Sequence, residues 1–313
     1  RHIRGNQNQT RIMETEINSR YANILLDYWF KRSFGTEINK RLMILLLREI
    51  IPEADVQDIT YGNKEHPNPF PDSHGVIFDI ECTSSDGSRF IVEIQLARQK
   101  WFMERALYYS SFAIQEQLDK GVDTYEFMPV YFIGMMDFTS HENSGGRFMY
   151  RYELIERDSG ERMTDRIRYV FLELPNVESI TDQSSDLANL CYALHNMTGL
   201  KSRPQEMQAE IFELLFDSAE ISKFTPEEKI RYERDMTTDR DIRNQIAFSR
   251  EQGLKEGMEQ GIVKGMEQGI VKGMEQGIVK GASDERERIM SVLRSEGVAD
   301  DIISKLSGNA PSS

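Results

Sequence analysis

Apolar and aromatic residues recur at three and four positions from Glu14 to Phe34, through Ile17, Tyr21, Ile24, Leu25, Tyr28, Trp29 and Phe30. That spacing predicts a helix packed on a core and closed by Gly35. A second, strongly apolar helix is expected over Ile38 to Ile51, where Pro52 stops it. The pattern then changes period. Val56 to Tyr61, Val76 to Thr83 and Phe90 to Leu96 read as strands. The prolines of His66 to Pro71 place a loop between the first two, because proline cannot feed a sheet ladder. Gln99 to Leu118 is an amphipathic helix, and Phe127 to Met136 is a short apolar run of the buried-strand type. Arg168 to Leu174 reads as a further strand, reached after a Gly-rich, charged excursion from Ser140 to Gly160. Beyond Pro175 only helical patterns remain, over Ser184 to Met197, Arg203 to Ser222 and Thr225 to Arg250. The last opens on Thr-Pro-Glu-Glu, which suits an N-cap, a proline at the first helical position and acids in the first turn. Strands joined by a helical crossover make this an α/β chain.

The tail has its own period. Gly-Met-Glu-Gln-Gly-Ile-Val-Lys occurs three times from Gly257 to Lys280, and eight glycines stand at every fourth position from Gly253 to Gly281. Each glycine costs a helix roughly 1 kcal/mol relative to alanine, yet a glycine stripe permits close approach of another backbone. Both a self-associating helical tail and a mobile linker fit this pattern. Ser283 to Leu306 has the outline of a capped helical hairpin. The expected organisation is a leader over 1–12, a core over 13–180, a helical accessory region over 181–250, the repeat over 251–281 and a short helical segment over 282–313.

Composition narrows the function. A formal charge of -14 opposes nonspecific coating of nucleic acid, so contact with phosphates must be local. Cys82 and Cys191 lie far apart and form neither a disulfide framework nor a cysteine zinc site, which fits a reducing cytoplasm. The longest aliphatic run, Leu42 to Leu47, is too short to span a bilayer, so no membrane association is expected. The five histidines, His2, His66, His74, His141 and His195, show no ligand-type spacing.

The candidate chemistry lies in Phe78-Asp79-Ile80-Glu81 and Val92-Glu93-Ile94-Gln95. Alternation puts Asp79 with Glu81 and Glu93 with Gln95, while Phe78, Ile80, Val92 and Ile94 face the other way. A three-residue loop Ser85-Asp86-Gly87 would pair Ser84 with Ser88 and set Asp79 opposite Glu93; a two-residue Asp-Gly loop would put them on opposite faces. Two carboxylates across a strand pair repel unless a cation lies between them, and oxygen ligands of that hardness select magnesium or manganese. Such a metal activates water and stabilises charge on a phosphoryl oxygen, as phosphodiester hydrolysis requires. A hairpin with acids on its wet face is the bland alternative.

Asp27-Tyr-Trp-Phe-Lys31-Arg-Ser-Phe-Gly35 with Asn39-Lys40, Phe78-Asp79, Val92-Glu93-Ile94-Gln95, Phe102 with Arg105 and Tyr108-Tyr109, Gly121 with Tyr125, Leu172-Glu-Leu-Pro175 and the glycine tail follow in order. In these pieces, from about Tyr21 to Gly308, the chain resembles the recombination-promoting nucleases, also described as PD-(D/E)XK nuclease family transposases. The resemblance implies a restriction-endonuclease-like fold, with a mixed central sheet flanked by helices, and magnesium-dependent cleavage of DNA linked to recombination or mobile elements. It makes Asp79 and Glu93 metal ligands, adds the Ile94 carbonyl as a third, and puts Gln95 where the motif has lysine. Phe78 stands where the motif has proline. Glutamine is neither a cation nor a base, so its expected part is to orient water or a phosphate. Arg105 and Tyr109, four apart on one helix, suit a phosphate and a sugar edge, or simply an arginine stem packed on a tyrosine. Arg98 and Lys100 can form a local positive rim, with Lys31 and Arg32 in a similar part. Two cuts in a duplex need two sites, which makes a dimer the simplest expectation. The competing class is a DNA- or protein-binding module that has lost cutting and assembles through its tail.

Overall fold

A computed structural model describes residues 19–62, 65–66, 76–118, 125–141, 145–181, 183–299 and 302–303. The leader 1–12, Pro67 to Pro71, His74 and Gly121 lie outside the described residues. Contact clustering divides the chain into two compact units, 1–237 and 238–313.

The first unit is built on a six-stranded sheet. In chain order its elements are α1 (Asp27–Phe34), α2 (Lys40–Ile50), β1 (Ile59–Tyr61), β2 (Glu65–His66), β3 (Val76–Ile77), β4 (Ile80–Ser84), β5 (Arg89–Gln95), α3 (Phe102–Gln115), β6 (Val130–Met136), β7 (Met149–Glu153), β8 (Ile167–Glu173), α4 (Asp186–Asn196) and α5 (Glu210–Ala219). The sheet order is β1-β4-β5-β6-β8-β7, with β2 and β3 forming a separate two-stranded ribbon. β5, β6 and β8 run parallel, and antiparallel strands flank them on both sides. The parallel centre explains why Val130–Met136 shows no alternation: all seven residues are buried, because helices cover both faces. On one face Phe90, Val92, Ile133 and Leu172 pack against Phe30 and Phe34 of α1, Leu46 of α2, Leu190 of α4 and Phe212 of α5. On the other, Ile91, Phe132, Met136 and Phe171 pack against Phe102, Ala106 and Ala113 of α3. Helices α4 and α5 therefore contribute to the same core as the sheet.

Several elements differ from their sequence patterns. The helix expected from Glu14 begins only at Asp27, and residues 14–18 lie outside the described set. Tyr21, Ala22, Ile24 and Leu25 are buried on several sides at once rather than along one helical stripe. Tyr21 bridges Glu220, and the Ala22 N–H donates to the Ala219 carbonyl at 2.8 Å. His66, expected in a loop, ends β2. The strand expected over Val76 to Thr83 is interrupted at Phe78 and Asp79, where the chain bends. Phe78 consequently packs with Ile91 on the α3 side, while Ile80 lies in the opposite core. The excursion after Ser140 conceals β7, an edge strand whose outward residues are polar or exposed and whose only described ladder is with β8. The helices expected over Gln99 to Leu118 and Arg203 to Ser222 are shorter at both ends.

α6 (Pro226–Ser295) is far longer than the pattern over Thr225 to Arg250 suggests, because it continues through the glycine repeat. Its start carries a reciprocal cap: Thr225 Oγ1 accepts from the Glu228 N–H at 3.2 Å, and Glu228 Oε2 accepts from the Thr225 N–H at 2.9 Å. Within the first unit its opening turns bring Tyr232 and Met236 onto Trp29 and Phe224. In the second unit the helix is exposed and ends before Gly297, whose φ of 81° takes the chain out of helix. Of the hairpin expected over Ser283 to Leu306, the second arm is described only at residues 302–303.

Two substitutions test this packing. A Cβ on Gly134, in the middle of β6, would lie 2.6 Å from the Phe171 ring and 3.1 Å from that of Phe102, so only glycine lets α3 settle this close to the sheet. Gly134→Ala should cost about 1–3 kcal/mol in chemical denaturation. The repeat glycines Gly265 and Gly269 have nothing within 4 Å of an added Cβ. Alanine at both should raise helix content by circular dichroism and add about 1 kcal/mol per site to helix stability; a fall would mean that the stripe is held against another surface.

Candidate active site

The β4–β5 turn sets the register. Ser84 N–H donates to the Ser88 carbonyl at 2.9 Å across the three-residue loop, Gly87 takes φ 88°, and Asp86 caps the Ser88 N–H at 2.9 Å. Ile80 then pairs with Val92, Glu81 with Ile91 and Cys82 with Phe90, so counting on places Asp79 opposite Glu93. The odd-numbered loop is the one formed.

The two carboxylates are laced together through the backbone. Asp79 Oδ2 accepts from the Ile94 N–H at 2.9 Å, and Glu93 Oε1 accepts from the Asp79 N–H at 2.9 Å. In an extended strand the N–H and C=O of one residue share an edge, so the Ile94 carbonyl lies on the Asp79 side. The second oxygen of each carboxylate meets a cation. Lys31 Nζ of α1 is 3.1 Å from Asp79 Oδ1 and also pairs with Asp27. Arg105 of α3 approaches Glu93 Oε2 at 3.8 Å and donates to Gln95 Oε1 at 2.7 Å and Gln99 Oε1 at 2.7 Å. Arg105 lies over the rings of Phe102 and Tyr109, and Tyr109 meets Phe78 edge-on at 5.4 Å.

Sequence reasoning thus names a set that the fold assembles: Asp79, Glu93, Ile94, Gln95, Arg105 and Tyr109. Lys31, expected only as part of a loose rim, is the cation on Asp79. Asp27, four residues before Lys31 on the same helix, is the one sequence signal that fixes its direction. Arg32 is elsewhere: it pairs with Glu228 at 2.6 Å and lies over Trp29 and Phe224, tying α1 to the start of α6. Glu81, expected to point with Asp79, pairs with Arg89 at 3.6 Å. Arg98 and Lys100 stand beyond the end of β5, where Arg98 donates to the Ser140 carbonyl at 3.1 Å and Lys100 lies over Trp101.

Burial raises the pKa of Asp79 despite the opposing Ile94 N–H and Lys31. It pushes Glu93, only 4% exposed, to about 8, with the charge of Asp79 as the second cause. Both carboxyls therefore hold protons more tightly than free acids do. Arg105 Nε is buried with no acceptor. Among the described residues no three acidic, histidine or cysteine side chains converge. Two hard carboxylates, a backbone carbonyl and water fit a magnesium-type ion.

A mixed sheet covered on both faces, with an acidic residue at the end of one strand opposite Glu-x-Gln on the next, is a restriction-endonuclease-like α/β architecture. The family model described as PD-(D/E)XK nuclease family transposase matches residues 24–249, and the chain belongs to that family. No curated protein and no solved structure gives a significant match.

The raised Glu93 pKa has a thermodynamic sign. Its folded value of about 8 lies above its ordinary 4.5, so between the two the folded protein holds a proton that the unfolded chain releases. This contribution is fully present below about 4.5 and lost as pH rises through about 8. In metal-free buffer, stability of the unmodified protein should fall across that window by urea denaturation, and Glu93→Gln should flatten the fall. A parallel decline in both proteins would refute the assignment.

Proposed function

We propose that the chain is a metal-dependent DNA endonuclease that hydrolyses phosphodiester bonds, with Asp79, Glu93 and the Ile94 carbonyl holding magnesium, for which manganese can substitute. The observation that carries this reading is the convergence of the buried Glu93 carboxylate and the partly buried Asp79 carboxylate with Lys31 and Arg105 at one hairpin. Family membership supports a nuclease-like function. Bound there, the metal supplies an acidified water and neutralises charge on the phosphoryl oxygen.

The chain's own residues divide the remaining work. Arginine only donates, so Gln95 must turn its carbonyl oxygen to Arg105, which leaves the amide NH₂ as a donor to water or phosphate. Gln95 thus supplies the hydrogen bond of the motif's lysine without its charge. Lys31, from a different element, supplies the charge. The partly exposed Arg105 guanidinium can donate to a non-bridging phosphate oxygen, and Tyr109 steadies the guanidinium and offers its hydroxyl to a sugar edge.

These local cations explain how a chain of net charge -14 can take DNA as its partner. Duplex cutting by one site per chain supports a homodimer. No helix among the described residues is long and apolar enough to cross a membrane. Cys82 and Cys191 are buried and unlinked, which supports a reducing, cytoplasmic setting, and the family description supports a link to recombination or mobile elements.

Cleavage of supercoiled plasmid in magnesium or manganese is the test. Asp79→Ala and Glu93→Ala should each lower the rate at least about 100-fold, as should Lys31→Met, with circular dichroism unchanged; these losses correspond to roughly 3 kcal/mol of transition-state stabilisation. Equal cutting by all the proteins would sink the reading. Metal and DNA binding without cutting would point to a binding module that assembles through the tail.

A further inference from the structure

The sheet face that carries Glu93 and Gln95 continues into a second polar cluster. Gln95 is in register with Met136 of β6, and Met136 with Glu173 of β8. Two strand spacings put Glu173 roughly 10 Å from Gln95 on the same face. Glu173 is fully buried and satisfied. Its Oε1 accepts from the Ser140 N–H at 2.8 Å, the Ser140 hydroxyl at 3.0 Å, the His141 N–H at 3.0 Å and His141 Nδ1 at 2.7 Å. Asn176 donates to Oε2 at 2.6 Å. The other ring nitrogen, Nε2, shares a hydrogen bond with the Tyr152 hydroxyl at 2.6 Å. The imidazole also stacks on Tyr150 at 3.6 Å.

This bracing orients His141 and Tyr152 along one wall of a cavity of about 500 Å³. Met103, Leu107 and Phe138 give it accessible apolar surface, with the Phe102 ring behind them, and Arg98 and Lys100 line it as well. Both cations are exposed at their positions after β5. The volume is that of a small-molecule site, roughly 300–1,000 Å³. Its chemistry is that of a nucleotide: apolar surface for a base, a fixed polar pair for the base edge and cations for a phosphate. A base inside a stacked duplex cannot enter such a space.

Resting on the nuclease reading of the adjoining carboxylates, we infer that this cavity binds one unpaired nucleotide of the substrate strand, next to the phosphate held at Asp79 and Glu93. Phe102 links the two places physically, since its ring lines the cavity and lies 5.3 Å from the Arg105 guanidinium. The substrate class that follows is DNA with an unpaired or readily unpaired base at the cut, in preference to uniformly stacked duplex.

The test uses the full chain in calcium, with two short duplexes of the same sequence. One carries a single unpaired 2-aminopurine and the other is fully paired. Plasmid cutting in magnesium is read in parallel, and free deoxyadenosine monophosphate is titrated as a separate ligand. The unpaired duplex should bind about tenfold tighter, with a change in 2-aminopurine fluorescence, and the double variant Tyr152→Phe/Lys100→Ala should lose that preference while keeping its fold. Equal binding of the two duplexes while plasmid is still cut would overturn the subsite and leave the nuclease reading standing. Neither cutting nor a preference would overturn both. Binding of the free nucleotide, lost in the double variant and unaccompanied by any duplex preference, would show the cavity to be a mononucleotide site and overturn its assignment to the strand.

Discussion

Two carboxyl groups set opposite each other at one hairpin, Glu93 buried and Asp79 partly so, are the constraint around which this molecule is arranged. Burial denies both carboxyls water, the charge of Asp79 further opposes ionisation of Glu93, and both groups hold protons more tightly than free acids. The fold answers with cations from opposite sides of the sheet. Lys31 comes from α1, whose Phe30 and Phe34 anchor in one core, and Arg105 comes from α3, whose Phe102 and Ala106 anchor in the other. The two apolar layers thus fix the positions of a lysine ammonium and an arginine guanidinium beside the carboxyls. Site geometry here is a product of core packing.

The local part of this arrangement was legible in the sequence. Ser85-Asp86-Gly87 determines a loop length, loop length determines register, and register determines that Asp79 faces Glu93. The buried strand β6 announces itself through an uninterrupted apolar run. What could not be read lies in relations between distant segments. Lys31 is forty-eight residues from Asp79 by sequence number, and no periodicity connects them. β7 is an edge strand with a mixed surface, so alternation is diluted by residues that face water. Tyr21 to Leu25 imitate a helical stripe, but Tyr21 and Ala22 are held by Ala219 and Glu220 and the chain then turns at Ile24 and Leu25, through contacts a window of neighbouring residues does not contain.

Family membership and geometry meet at Gln95. A neutral amide at the motif's lysine position would leave a carboxylate pair with one cation too few if the site were drawn from the hairpin alone. On the proposed reading, the hydrogen bond and the charge are carried by separate side chains, Gln95 and Lys31, on separate elements. Such a division makes the site's competence depend on the docking of α1, and Arg32 on that same helix is clamped by Glu228 and Phe224 at the entry to α6.

The eight-residue repeat gives α6 a quantised length. Eight residues advance a helix by about 12 Å and turn it through two revolutions plus about 80°. A chain that gained or lost one Gly-Met-Glu-Gln-Gly-Ile-Val-Lys unit would keep an unbroken helix. Whatever follows Ser295 would be carried one such step outward or inward and swung by nearly a quarter turn. The tail is thus a ruler whose graduations are also angular, so related chains that differ only in copy number would present the same terminal segment in a few discrete orientations.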